Sequence, residues 1–190
     1  MYGNWEFDED PAALIQYEAI LDFFRTRLPW GDEVPANEKY VTVDVARYGR
    51  DKTVIGLWDD RMLVAVEEMG KSGVDVVAER VKEILFAENI PYENVIVDED
   101  GVGGGVVDIL RGVNGFVNGS KPIEENKAVK KKEGIVVKEQ YENLKTQCYY
   151  KLADAINGHK IGAVMEDVEL QNLVIEELMI KVYNMYFRRS

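Results

Sequence analysis

The stretch YVTVDVARYGRDKTVIGLWDD, residues 40–60, decides the fold of this chain. Apolar side chains alternate through Val41, Val43 and Val45, which is the period of a strand with one buried face. Asp44 places a carboxylate in this strand, where we expect a buried face. The residues RYGRD then predict a turn, and the apolar run after them predicts a second strand.

The segments after this stretch predict an α/β protein. Strands at 40–46, 52–58 and 62–69 have short connections and therefore form an antiparallel meander. A helix follows Gly73, because its apolar residues recur with a period near 3.6. The short apolar run NVIVD ends at Asp98 and is typical of a central, buried strand.

The remaining elements complete a recognisable order. We expect a helix at about 104–111, a weak strand in GFVNG, a loop or small hairpin at 119–139, a helix at 140–157, and a last helix from a possible cap at Asp167. This order is that of the ribonuclease H-like fold, in which helices flank a mixed five-stranded central sheet. Its first and fourth strands are adjacent and parallel, so Asp44 and the end of NVIVD would lie side by side.

The N-terminal part predicts a separate element. Asp10 followed by Pro11 is typical of a helix start, and we expect that helix to reach about Leu28. PWGDEVPANE then reads as a polar linker, because it is short of apolar residues and contains two prolines. We therefore divide the chain into a helical arm and linker, 1–38, and a compact domain, 39–190.

Composition and charge narrow the functional classes. The net charge of −12 argues against a generic nucleic-acid binder, although charge acts locally. No run is long enough for a transmembrane helix, and the acidic N-terminus lacks the apolar core of a secretory signal, so we expect a cytoplasmic protein without a membrane partner. Cys148 is the single cysteine, which excludes an internal disulfide; its helical spacing with Leu144 and Leu152 predicts a core position.

Two carboxylates on neighbouring strands predict a metal site. They repel each other, and a cation is needed to keep both ionised. Oxygen ligands suit Mg²⁺ or Mn²⁺, and two such ions roughly 3.5–4 Å apart can activate a water and stabilise a leaving oxygen in phosphodiester hydrolysis. The structural alternative is that Asp44 bonds a neighbouring backbone group or pairs with Arg47 or Lys52.

Other acids compete for roles at this site. Asp98 ends its strand directly and is fixed better than Asp100, which lies in the loop as a secondary ligand or a turn former. Asp51 lies near the start of the second strand, either beside the ligands or as a turn residue.

The glycine-rich run DGVGGGVVD lacks the order of a dinucleotide motif. It indicates either close backbone packing at a helix start or a flexible loop that admits a nucleic-acid backbone.

A lysine-rich run, KAVKKK, ends in Lys130, Lys131 and Lys132 without an acid among them. It is either a solvated loop or a loop that contacts phosphates.

The sequence resembles one known family. VDVARYGRDKTVIGLW followed by VIVDEDGVGGGVVDIL is similar to the nuclease domain of large terminase subunits, the DNA-packaging motors of tailed bacteriophages and prophages. KPIEEN and NLKTQCYYKLADAIN resemble one branch of that family. YGNWEFDEDPAAL resembles the segment after its ATPase domain. The resemblance extends to about Leu178, and the two aspartate motifs together are fairly specific.

The resemblance implies a metal-dependent endonuclease that cuts concatemeric double-stranded DNA in the cytoplasm of a bacterial host, with two Mg²⁺ or Mn²⁺ ions. Asp44 matches the first metal-binding acid, Asp98 the second, with Asp100 a weaker match, and Asp51 an acid near the first motif. The implied partners are DNA, the ATPase domain of the same subunit, the portal and the small terminase subunit.

The chain departs from the family pattern twice. It has no Walker motifs, so we expect an isolated domain or a fragment that cannot translocate DNA alone. It also lacks the family's late Ser-Pro-Asp-x-x-Asp-Ala-Leu-like motif. Glu176 and Glu177 on the last helix either substitute for its acid or are exposed acids of an amphipathic helix. The rival hypotheses are a catalytically incomplete docking or DNA-binding module and another ribonuclease H-like nuclease, such as a junction resolvase.

Overall fold

The computed structural model describes residues 14–25, 38–46, 51–124 and 141–187, together with the backbone of 131–132 and 135–136; for 179–187 it describes only the backbone. The strands are β1 Lys39–Asp44, β2 Thr53–Asp59, β3 Met62–Met69, β4 Val95–Asp98, β5 Asn114–Phe116, β6 Lys131–Lys132, β7 Ile135–Val136 and β8 Gly162–Ala163. The α-helices are α1 Tyr17–Phe23, α2 Val74–Glu88, α3 Gly103–Ile109, α4 Leu144–Asn157 and α5 Val168–Phe187, and a 3₁₀ turn spans Tyr92–Asn94.

The central sheet has the strand order β5-β4-β1-β2-β3-β8. The first three strands form the predicted antiparallel meander. The predicted parallel pairing of the first and fourth strands is also confirmed, with Val43 beside Val97. The fold is therefore ribonuclease H-like, as the element order predicts. β6 and β7 pair as the small hairpin that was one of two predictions for that segment.

One face of the sheet carries a tightly packed core, and we call it the packed face. Val41, Val43 and Ile55 contribute to it from β1 and β2, and Val95 and Val97 from β4. These five side chains are at most 3% exposed. The helices α2 and α3 cover this face with the buried residues Val77, Ala78, Val81, Leu85, Val106 and Leu110. Burial of this apolar surface is the main stabilising contribution in the sheet region.

The opposite face of the sheet carries Thr42, Asp44, Val54, Glu68 and Asp98, and we call it the cavity face. Its positions follow from the strand registers, because residues that pair across neighbouring strands point to the same side. A second apolar cluster from α1, α4 and β8 borders this face, with parts of α5 packed against it. The sheet is thus covered differently on its two sides.

The cluster beside the cavity face holds α1 in place. Ile20 is 1% exposed and packs with Ile156 of α4. Asn157, at the end of α4, donates from Nδ2 to the carbonyl oxygen of Leu14 and accepts from the backbone N–H of Gln16, both at 2.9 Å. These bonds join segments more than 140 residues apart in sequence. The division of the chain at residues 38 and 39 stays a prediction.

Two details differ from the sequence prediction. β8 is a sixth strand, which pairs in parallel with β3 through Gly162 and Ala163. α1 ends at Phe23, because the next two backbone N–H groups bond three residues back in a turn. The predicted start at Asp10 and Pro11 and the predicted end at Leu28 lie outside the described residues.

The helix around the single cysteine also corrects one prediction. Cys148 is exposed, and the buried positions of α4 are Gln147, Ala153 and Ile156. Gln147 is buried because its amide bonds both backbone groups of Ile123, at 2.7 and 2.9 Å. A buried polar side chain, hydrogen-bonded through both its amide oxygen and its amide nitrogen, takes the core position that the spacing assigned to Cys148.

The predicted cap of the last helix is present. The Oδ1 atom of Asp167 accepts from the backbone N–H groups of Glu169 and Leu170, at 2.8 and 3.1 Å. This satisfies donors that an α-helix leaves unpaired at its start. Within the described residues, no helix combines the length and the apolar composition needed to cross a membrane.

Candidate active site

Asp44 and Asp98 stand next to each other at the ends of two parallel strands. Val43 pairs with Val97, and each aspartate is the residue that follows. Neighbouring strands are about 4.8 Å apart, so the two side chains leave the sheet at that spacing and on the same side. The chain thereby brings together two carboxylates that are distant in sequence.

The position of Asp44 corrects one expectation. We expected this carboxylate on the buried face of its strand. Asp44 is exposed, and it lies on the cavity face, opposite Val41 and Val43. The alternation that buries the valines necessarily turns the intervening residue to the other side.

A cavity of about 690 Å³ opens beside these two aspartates. Its floor is the cavity face of the sheet, and its walls come from α4, α5 and the segment before α1. Most lining side chains are apolar. The exceptions are four acids, Asp44, Glu68, Asp98 and Glu177, and the polar or amphipathic residues Thr42, Trp58 and Tyr149. No lysine or arginine belongs to the lining, as far as the structure describes it.

The loop after β4 fixes Asp98 from its backbone side. Oδ1 of Asp98 accepts from the backbone N–H of Asp100 at 3.0 Å. The next backbone N–H, that of Glu99, donates to the carbonyl oxygen of Phe116 at 2.9 Å. Asp98 is half-buried, as its place at the end of a central strand predicts. These contacts leave little freedom to the carboxylate that ends the strand.

The glycine run after β4 packs closely against that strand end. A Cβ atom on Gly103 would lie 1.8 Å from the carbonyl oxygen of Asp98, which no real side chain tolerates. A Cβ atom on Gly104 would meet nothing closer than 3.7 Å. Of the two interpretations of the run, the contacts of Gly103 favour close backbone packing at a helix start.

Asp100 and Asp51 lie elsewhere. The carboxylate of Asp100 accepts from the backbone N–H and the side-chain amide of Asn118, at 3.0 and 2.5 Å, so it ties its loop to the segment after β5. Asp51 is exposed and borders a small separate cleft with Lys71 and Val74. Neither acid belongs to the described lining of the cavity. Their contacts fit the turn and loop roles that the sequence left open.

Glu176 and Glu177 of α5 are both exposed, but only Glu177 lines the cavity. The cavity thus distinguishes two acids that the sequence could not separate. Lys130 lies outside the described residues, and only the backbone of Lys131 and Lys132 is described. The proposed phosphate contacts of these lysines stay a prediction.

Two hydroxyl groups order the strands around Asp44. The Oγ1 atom of Thr42 accepts from the indole N–H of Trp58 at 3.0 Å. Thr53, which is 2% exposed, accepts from the backbone N–H of Ala46 at 3.1 Å and so continues the pairing of β1 and β2 past Asp44. Both contacts stiffen the strand from which the first aspartate projects.

Glu68 is a cavity acid that sequence reasoning missed. Its register partner is Val54, which in turn pairs with Asp44. A β-bulge opposite Leu57 and Trp58 shifts the alternation of β3, so that both Leu63 and Glu68 face the cavity although their positions differ by an odd number, five. An uninterrupted alternation would have placed them on opposite faces, and the sequence gives no direct signal of the bulge.

The donor atoms suit a divalent cation, although the described residues do not form a complete cage. Carboxylate oxygens are the ligands that Mg²⁺ and Mn²⁺ prefer. No three histidine, cysteine, aspartate or glutamate side chains in the described part of the chain are close enough together to hold an ion. Asp44 and Asp98 therefore offer a two-acid site with room for a third group from the cavity wall.

The sequence matches no protein-family model, and it matches none of the curated proteins. Solved structures do match. A mutant of the large terminase subunit from bacteriophage Sf6, solved with calcium, superposes with a TM-score of 0.68 at 15% identity. The match covers 88% of this chain and 81% of that one.

Two further structures support the same fold. A mutant nuclease domain of the Sf6 large terminase subunit, with manganese and beta-thujaplicinol, has a TM-score of 0.65 at 15% identity. The nuclease domain of that subunit gives 0.64 at 14% identity. Both matches cover 88% of this chain and 81% of the other. Similarity at this level of identity establishes the shared fold.

Proposed function

We propose that this chain is the nuclease domain of a phage or prophage large terminase subunit, a metal-dependent endonuclease that cuts concatemeric double-stranded DNA. The observation that supports this most directly is the placement of Asp44 and Asp98 at the neighbouring ends of β1 and β4, on the floor of the cavity. The fold shared with the Sf6 domain supports the proposal further, because that domain is a nuclease domain. Fold similarity alone does not establish function, so the paired aspartates remain the main argument.

Asp44 and Asp98 would hold Mg²⁺ or Mn²⁺, and Glu177 would add a carboxylate from α5. Two such ions supply a water nucleophile and stabilise the leaving oxygen of a phosphodiester. The calcium and manganese in the Sf6 structures agree with oxygen ligands of this type. Asp100 and Asp51 would act only indirectly, through the loops that they order.

The protein's own contribution is positioning. The loop bonds of Asp98 and the Thr53 contact after β1 hold the two carboxylates in register before substrate arrives. Lys130, Lys131 and Lys132 would contact backbone phosphates. Such contacts position DNA without reading its bases, so we expect cutting of low sequence specificity.

The biological setting follows from this assignment. We propose that the chain works in the cytoplasm of a bacterial host, with DNA as its substrate. Its partners would be the ATPase domain of the same subunit, the portal and the small terminase subunit.

Plasmid cleavage tests the proposal. Supercoiled DNA is incubated with Mn²⁺, Mg²⁺ or EDTA and with the wild type, Asp44→Asn, Asp98→Asn or Asp108→Asn. Asp108 is an exposed acid of α3 outside the cavity lining, so its variant is the matched control. We expect both cavity variants to lose activity at least ~100-fold, which is about 2.7 kcal/mol of transition-state stabilisation, and the control to keep it. Cleavage that survives in both cavity variants would disprove the assignment.

A binding measurement separates the metal site from turnover. Mn²⁺ should raise the melting temperature of the wild type, and Asp98→Asn should abolish that shift. Glu177→Gln should reduce it, whereas the neighbouring Glu176→Gln should not, because only Glu177 lines the cavity. Equal behaviour of the two glutamate variants would remove Glu177 from the site.

One observation favours a second candidate. The described residues hold no complete set of three metal-ligating side chains, which agrees with a docking or DNA-binding module that keeps the fold without catalysis. A well-folded wild type that binds DNA and cleaves none of linear duplex, four-way junction and RNA–DNA hybrid would support it. Preferential cleavage of the junction would instead identify a resolvase.

A further inference from the structure

A lysine and a glutamate form an ion pair at the rim of the cavity. Nζ of Lys52 lies 2.5 Å from Oε2 of Glu68, and Glu68 lines the cavity. Lys52 directly precedes β2, and its contact with Glu68 brings its ammonium to the cavity side of the sheet. The pair therefore belongs to the same side of the sheet as Asp44.

The distance from the paired aspartates suits a nucleic-acid strand. Asp44, Val54 and Glu68 follow one another across three adjacent strands. Two strand spacings amount to about 10 Å. A strand of B-DNA rises 3.4 Å per nucleotide along the helix axis, so about 10 Å corresponds to at most about three nucleotides. A phosphate group bound near Lys52 would thus lie within about three nucleotides of a phosphodiester at Asp44 and Asp98.

The negative charge around the cavity would repel DNA unless positive groups lie nearby. Four acids line it, and the described lining contains no lysine or arginine. A polyanion does not approach such a surface without cations near its path. The ammonium of Lys52, bonded to one of the four acids, is placed to supply such a charge at the rim.

We propose that Lys52 binds a backbone phosphate of the DNA within about three nucleotides of the scissile bond, and that Glu68 holds the Lys52 ammonium until the phosphate displaces it. This inference rests on the proposed nuclease function and names a substrate contact of that site. The side chains of Lys52 and Glu68 are 57% and 37% exposed, so solvent weakens their pairing. A phosphate can therefore take the place of Glu68 with little loss.

The test measures DNA affinity at several salt concentrations by fluorescence anisotropy of a labelled duplex, with every variant in the Asp98→Asn background so that the DNA stays intact. Lys52→Ala should weaken binding about 3–10-fold and reduce the slope of log K against log salt by about 0.9, as expected when one phosphate contact is lost. Lys52→Arg should keep the slope of the Asp98→Asn parent.

Substitution of Glu68 should change the DNA affinity in the opposite direction. Glu68→Gln frees the ammonium and should tighten binding about 2–5-fold, and this gain should vanish when Lys52→Ala is also present. Lys82→Ala is the matched control, because Lys82 pairs with Glu79 on α2, which packs on the other face of the sheet. It should leave the slope unchanged.

The outcomes separate this inference from the function on which it rests. If no variant binds DNA, the proposed nuclease function fails with it. If DNA binds and Lys52→Ala has the same slope as Lys82→Ala, only the role of Lys52 is overturned. If Glu68→Gln weakens binding, the view of Glu68 as the group that phosphate displaces is wrong.

Discussion

The two faces of one sheet have been built for different tasks. On the packed face, Val41 and Val97 are fully buried under α2 and α3. On the cavity face, β1 carries Asp44, which is exposed beside a cavity of about 690 Å³. The same strands thus supply stability on one side and the candidate active site on the other. Strand alternation makes this division possible, because each side chain can be chosen without disturbing its neighbour's face.

Two consecutive glutamates show the division at its smallest scale. Glu67 turns to the packed side and forms a forked ion pair with Arg80 of α2, at 2.8–3.1 Å. Glu68 turns to the cavity and pairs with Lys52 at its rim. The comparison predicts that mutations on the packed face change stability, and that mutations on the cavity face change function.

The largest effect on stability is expected from leucines on opposite sides of the sheet. Leu110 is fully buried in the packed core, so Leu110→Ala should lower the free energy of unfolding by about 2–5 kcal/mol. Leu173 lines the cavity and is 55% exposed, so Leu173→Ala should lower it by less than about 1 kcal/mol. Urea denaturation measures both. Equal losses would show that the cavity wall is as tightly packed as the core.

The glycines after β4 give an intermediate effect. Gly103→Ala places a methyl group against the carbonyl oxygen of Asp98 and should destabilise the protein by about 1–3 kcal/mol. It should also lower activity, because the strand end that carries Asp98 must shift. Gly104→Ala has room and lies in the same helix, so it should be neutral or stabilising by up to about 1 kcal/mol.

Activity and melting temperature of the two glycine variants together decide between packing and flexibility. If Gly104→Ala also abolished cleavage, the glycine run would be needed as a flexible loop, and the packing interpretation would be wrong.

The smallest effect concerns pH. The hydrogen bonds from Arg80 lower the pKa of Glu67 below its ordinary value of 4.5. The stabilisation from this pair is therefore complete at neutral pH, decreases as the pH falls below about 4.5, and is lost below the folded-state pKa. Both side chains are more than a third exposed, so we expect only about 0.5 kcal/mol after solvent screening.

Unfolding of Glu67→Gln and wild type at pH 7 and pH 3 measures this contribution. The difference between the two proteins should shrink at pH 3. Arg80→Gln is the control background, because it removes the partner of Glu67, and Glu67→Gln should then cause little further loss at pH 7. A loss that is as large in that background would show that Glu67 does not act through Arg80.

The sequence predicted most of the sheet, because its strands carry strong local signals. The alternation at Val41 and Val43 and the short apolar run ending at Asp98 identify β1 and β4 without any tertiary information. β8 was missed, since Gly162 and Ala163 have no strand propensity and are extended only because β3 pairs with them. Such a strand is defined by its neighbour rather than by its own residues.

The candidate site was also predictable only in part. Adjacent placement of Asp44 and Asp98 follows from the element order, but the choice of Glu177 over Glu176 depends on how α5 is rotated against the cavity. Glu68 depends on a bulge, and the burial of Gln147 on a hydrogen bond to a distant loop. Tertiary contacts decide these positions, and the periodicity of the sequence does not predict such contacts.

The parallel pairing of β1 with β4 has a consequence for how the chain matures. Between the two strands lie β2, β3 and α2, so their contact is one of long sequence separation. Contacts of this kind form late, after local hairpins and helices, because closing the chain over that length costs entropy first. We therefore expect Asp44 and Asp98 to meet only when the sheet is nearly complete. In a newly made chain, the two acids proposed to hold the metal would therefore stay apart until folding is almost finished.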